Sequence, residues 1–94
     1  MPLPYDATQV NMVETAATLT NTAVAIAANT ARRGLIVSNN SDTVMTLRVG
    51  ATATAAAGIS IPAGTAISFR DYVAAGALSL FCAGTAKAYT IYEW

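Results

Sequence analysis

Histidine is missing altogether, cysteine occurs once, at Cys82, and lysine once, at Lys87, in a chain of 94 residues. Without histidine the chain lacks the commonest general base and metal ligand, and one thiol forms neither an internal disulfide nor a zinc cluster. Charge is scarce too: five basic and five acidic residues, 11% of the chain, cancel to zero. That excludes a basic stripe for nucleic acid and an acidic solvating tail. Long apolar runs are absent; residues 23–28 fall far short of the roughly 20 residues a bilayer span requires. The first basic residue is Arg32, so no positively charged leader is seen, and a soluble chain is expected.

What the chain has in quantity is alanine. Apolar residues make up 54%, but 21 of those 51 are Ala, leaving 30 larger anchors. Each buried anchor contributes roughly 1.5–3 kcal/mol, against about 1.5 kcal/mol of entropy per ordered residue. The core is therefore thin, and contacts with a partner are expected to add to it. Cys82 sits in an apolar stretch and reads as a buried, reduced thiol.

The dominant period is two. Thr18, Thr20, Thr22, Val24 and Ile26 alternate with Leu19, Asn21, Ala23 and Ala25, which predicts one strand. The pattern returns at Met45, Leu47 and Val49, at Ile59 and Ile61, at Ile67 and Phe69, at Leu78 and Leu80, and at Tyr89 and Ile91. Leu35-Ile36-Val37 reads as a strand covered on both faces. Turn residues separate the runs: Asn39-Asn40-Ser41-Asp42, Pro62-Ala63-Gly64, Ala75-Gly76 and Ala83-Gly84-Thr85. Seven or eight short strands at about ten-residue spacing predict an all-β fold, a single antiparallel β-sandwich or barrel over residues 13–94. Residues 51–57 are Ala-rich enough to compete as a helix, but two threonines and Gly58 favour a loop or one turn.

Residues 1–12 hold Pro2 and Pro4, which deny ladder donors, and predict an extended arm with Leu3 and Tyr5 as apolar hooks. At the other end Tyr89, Ile91, Tyr92 and Trp94 place aromatic mass up to the last residue, which should be docked.

A search for chemistry finds little. Asp6, Glu14, Asp42, Asp71 and Glu93 are scattered singly, and no spaced glycine cluster cradles phosphate. Asp42 beside Asn40 and Ser41 superficially suggests calcium, but that ion wants six to eight oxygens, and a hairpin turn explains these residues better. Neither catalysis, a cofactor nor a metal is expected. Three features suit binding instead: Arg32-Arg33 ahead of Gly34, Arg70-Asp71-Tyr72 after a strand, and the arm. Neighbouring side chains in a strand point oppositely, so one of Arg32 and Arg33 is expected to pair inside the subunit and the other with a partner.

The stretch Arg32-Arg33-Gly34-Leu35-Ile36-Val37-Ser38-Asn39-Asn40-Ser41-Asp42-Thr43 is followed by a strand ending at Val49-Gly50 and an Ala/Thr loop. Gly58-Ile59-Ser60-Ile61-Pro62-Ala63-Gly64 comes next, and Gly84-Thr85-Ala86 precedes the closing strand. Together these resemble the small β-sandwich capsid decoration (cement) proteins of tailed bacteriophages. The resemblance covers residues 32–94. It implies a jelly-roll-like sandwich without enzymatic activity that binds the outer surface of the major capsid protein lattice as a dimer or trimer. Nucleic acid, membrane and small-molecule substrates would play no part. The residues expected at capsid or subunit interfaces are Leu3, Tyr5, Arg32, Arg33, Arg70, Tyr72 and Trp94. A phage fibre or tail module binding a receptor or carbohydrate, with Tyr72, Tyr92 and Trp94 as stacking platforms, is the alternative.

Overall fold

The computed structural model describes residues 12–69 and 75–94. Eight strands form, and no helix among the described residues: β1 (Val13–Leu19), β2 (Thr22–Ile26), β3 (Leu35–Asn39), β4 (Met45–Val49), β5 (Ile59–Ile61), β6 (Ala66–Phe69), β7 (Leu78–Cys82) and β8 (Lys87–Glu93). They make two antiparallel four-stranded sheets, in the orders β1-β8-β3-β6 and β2-β7-β4-β5. One inward face from each sheet contributes to a single apolar cluster, so the fold is a β-sandwich.

Alternation decides which residues fill it. Met45 and Leu47 on β4, Leu78, Leu80 and Cys82 on β7, Leu35 and Val37 on β3, and Tyr89 and Ile91 on β8 are buried. Cys82 is a free thiol inside that core, as expected, and burial raises its pKa above the ordinary value. Ile36, expected to be covered, is half-buried on the outer face of its sheet.

Two expectations are corrected. The run from Thr18 to Ile26 is two strands in opposite sheets, broken at Thr20-Asn21, where Asn21 takes φ 47°. The break flips the parity: Leu19 points inward on β1 and Ile26 inward on β2, while Thr18 is exposed. The segment after Asn39 is no hairpin, because β3 and β4 lie in different sheets and the chain crosses between them. A fully buried side chain governs that crossing. Asn39 donates from Nδ2 to the carbonyls of Thr43 (2.8 Å) and Ile61 (2.9 Å), and its Oδ1 accepts from Ser41 N (3.0 Å) and Ser41 Oγ (2.7 Å).

Residues 51–57 form a loop with a tight turn, Thr54 and Ala57 exchanging backbone hydrogen bonds. This loop folds over the outer face of the β2-β7-β4-β5 sheet. Ala53 is buried, and its N–H donates to Ser79 Oγ at 3.0 Å, which explains why outward-pointing Ser79 and Thr46 are buried. Gly58 closes the loop at φ 136°, and a Cβ there would run into Thr46 Cγ2 and the Leu47 carbonyl.

Candidate functional site

The end of the sandwich where β8 finishes brings together Arg32, Arg33, Glu93 and Trp94. Its frame is the connection from β2 to β3. Asn29 anchors it: its N–H donates to the Ala75 carbonyl, its carbonyl accepts from Arg32 N, and its Oδ1 accepts from Ala31 N at 3.0 Å. This local side-chain-to-backbone turn is what asparagine offers where a chain must reverse.

Arg32 and Arg33 then part company. The side chain of Arg32 is fully buried; Nε donates to Glu93 Oε2 at 2.8 Å, Nη2 to the Ala27 carbonyl at 2.7 Å, and Nη1 to the Gly76 carbonyl at 3.3 Å. Its charge is spent inside the chain, tying three segments together. The internal half of the expected division is observed, with Arg32 as the residue that pairs inside the subunit, while Arg33 is exposed.

Trp94 extends the β3–β8 ladder. Its N–H donates to the Gly34 carbonyl, and its own carbonyl accepts from both Arg33 N and Gly34 N. The indole lies against Gly34, where a Cβ would overlap the ring, so glycine is required by close approach. Trp94 is half-buried, docked as expected but not sunk in the core. Val13, Asn29, Ala31, Arg33, Glu93 and Trp94 line a concavity of about 300 Å³. Its walls carry an indole, an outward guanidinium, a carboxamide, and a carboxylate already held by Arg32. Such a surface can stack on an apolar or planar group and donate hydrogen bonds around it.

Of the seven residues expected at interfaces, Arg33 and Trp94 meet in this concavity and Arg32 lies behind it. Leu3, Tyr5, Arg70 and Tyr72 fall outside the described residues, as does the proposed arm up to residue 11. In the sequence Glu93 stands only as an isolated acid. The signal was its parity: it shares a face with buried Tyr89 and Ile91, and a carboxylate on a core face calls for a buried cation. Asn29 and Ala31 carried no such signal.

Other charged contacts are small and separate. At the opposite end Lys87 Nζ pairs with exposed Asp42 Oδ1 at 2.6 Å, and that hydrogen bond, helped by the Thr43 hydroxyl, holds the Asp42 carboxyl below its ordinary pKa. On the outer face of the β1-β8-β3-β6 sheet, Tyr92 Oη donates to Glu14 Oε2 at 2.8 Å, and this carboxylate raises the Tyr92 pKa. A second concavity, of about 290 Å³, is lined by small and apolar residues, Ala23, Ala25, Gly50, Ala51 and Ala77 among them. No group of three or more His, Cys, Asp or Glu able to hold a metal occurs among the described residues.

No family is matched. Comparison with protein-family models, curated proteins and solved structures finds no protein to which this chain is similar.

Proposed function

We propose that this chain is a virion structural protein that decorates the outside of a bacteriophage capsid and reinforces the expanded head. The observation that carries the reading is the strand order. Numbering strands in chain order, β1-β8-β3-β6 facing β2-β7-β4-β5 supports reading the sandwich as jelly-roll-like, an architecture used in viral capsid proteins and lectins. The resemblance over residues 32–94 points the same way. Zero net charge and an Ala/Thr-rich surface suit close packing in a symmetric oligomer, which can bridge neighbouring capsid subunits by multivalency rather than by one strong site. In this reading the Trp94–Arg33 concavity faces the capsid, Arg33 supplying donors and the indole supplying apolar area, the pair of residue types that most often anchors an interface.

The test is co-sedimentation of purified protein with expanded empty heads of the virus that encodes it. Saturable binding, and heads more resistant to heat and low salt when coated, are expected. Absence of binding together with unchanged head resistance overturns the reading.

One observation favours a second reading, a fibre or tail module for carbohydrate. A half-buried indole beside Arg33 and Asn29 is able to stack on a sugar ring while donating to its hydroxyls. Saturable binding on a glycan array, lost in Trp94→Ala, would favour it over capsid attachment.

A further inference from the structure

We infer that β1 is the edge on which a second copy of this chain pairs, antiparallel and about a two-fold axis through Ala16, joining the two β1-β8-β3-β6 sheets into one of eight strands. The inference specifies the subunit contact of the oligomer proposed above and rests on that part of the reading, but it needs no capsid.

Of the four sheet edges, three are short or blunted. β5 has three residues and runs into Pro62, β6 has four, and β2 has five with Ala23 and Val24 half-covered. β1 differs. It is seven residues long, pairs among the described residues on one side only, with β8, and contains no proline, glycine, lysine or arginine. These are the devices by which proteins normally protect an edge, and an edge without them is a template for another strand. Every residue of β1 except Leu19 is exposed, including the inward-pointing Val13, Thr15 and Ala17; Val13 is 57% exposed, with Met12 exposed beside it.

The strand's own sequence argues for itself as occupant. Centring the two-fold on Ala16 engages all seven residues, setting Val13 against Leu19, Glu14 against Thr18 and Thr15 against Ala17 of the other copy. Val13 then gains an apolar neighbour, and β-branched residues fill the ladder. The one charge, Glu14, faces a threonine and keeps its bond to Tyr92 on the outer face. Centring on Glu14 would instead oppose like charges, which is destabilising. Because the contact is isologous, it closes as a dimer and leaves no free copy of β1.

The register makes an unusual demand. Facing Cα atoms in antiparallel strands lie about 4.5–5.5 Å apart, within disulfide range, while residues two positions off the axis are four residues from their own copies, about 13 Å away. In full-length protein under mild oxidation, Ala16→Cys should therefore cross-link to a covalent dimer and Thr18→Cys should not; the buried native Cys82 is common to both. Light scattering of the unaltered chain should give about twice its 9.6 kDa. Thr15→Lys should halve that mass, and if that variant does not fold the cross-linking pair still decides. A monomeric mass, or Thr18→Cys cross-linking as readily as Ala16→Cys, overturns the inference. Capsid co-sedimentation is scored separately, so a dimer that ignores capsids overturns the proposed function and leaves this contact standing.

Discussion

Asn39 shows how one polar side chain fixes a crossing between sheets. A buried carboxamide is costly unless satisfied, and here both ends are, by four hydrogen bonds to Thr43, Ile61 and Ser41. Asn39→Leu keeps comparable bulk but removes the Asn39 donor to the Ile61 carbonyl and the acceptor of the Ser41 N–H, while the Thr43 carbonyl keeps its bond from Ser41 Oγ. Unsatisfied buried groups cost about 1–3 kcal/mol each, partly relieved here by solvent at the loop, so a net loss of about 2 kcal/mol and a melting point lower by roughly 10 °C are expected. Asn39→Asp should be worse, since it replaces a donor with an acceptor facing two carbonyls. If thermal denaturation leaves Asn39→Leu within about 2 °C of the parent, the side chain does not control the crossing. Trp94 is the contrasting residue. Its aromatic mass predicted a docked terminus, but half-burial on Gly34 puts Trp94→Ala below the roughly 3–5 kcal/mol typical of fully buried tryptophans. A loss of about 2 kcal/mol in urea titration is expected.

At the scale of elements, the sequence showed strands clearly and turns poorly. Met45, Leu47, Leu78, Leu80, Tyr89 and Ile91 declared their inward faces because each strand stands between one buried and one wetter face. The Thr18 to Ile26 run misled because the β-branched positions keep even spacing across Thr20-Asn21 although the inward face switches there from odd to even positions, so the change of sheet leaves no mark in the alternation of residue types. The crossing after Asn39 misled for a different reason. Its composition of Asn, Ser and Asp is the same whether the chain returns to its own sheet or leaves for the other. Asp42, in that crossing, is tied to Lys87 at the start of β8, and the tie makes an acid-side prediction. Its carboxyl is held below the ordinary value of 3.8, so the pair contributes stability above that pH and loses it as pH falls through 3.8 and below. Because Asp42 is fully exposed, the effect is small. Melting curves from about pH 5 to about pH 2 should fall less steeply for Asp42→Asn than for the parent. Parallel curves would show that the pair carries no stability.

At the scale of the whole molecule, what alternation cannot contain is the pairing of distant strands. β8 lies between β1 and β3, so Glu93 of the last strand reaches Arg32 only because the fold closes across more than sixty residues. Alternation did foresee that Arg32 and Arg33 would separate, and the closed fold supplies the reason each goes where it does: one completes a buried pair, the other faces the concavity beside Trp94. In the proposed capsid-binding reading, the two arginines separate folding from attachment. Arg32→Met removes the partner of Glu93 and frees the carbonyls of Ala27 and Gly76; losing one member of a buried pair costs about 3 kcal/mol, lowering the melting point by roughly 15 °C. Arg33→Glu changes an exposed residue and should move stability by no more than about 0.5 kcal/mol. On empty heads the order should reverse. Arg33→Glu should bind at least about tenfold more weakly, as expected when an interface arginine is inverted, while Arg32→Met, assayed well below its melting point, should retain parental affinity. If both variants lost stability and binding in step, the concavity would be a product of folding with no separate role in attachment.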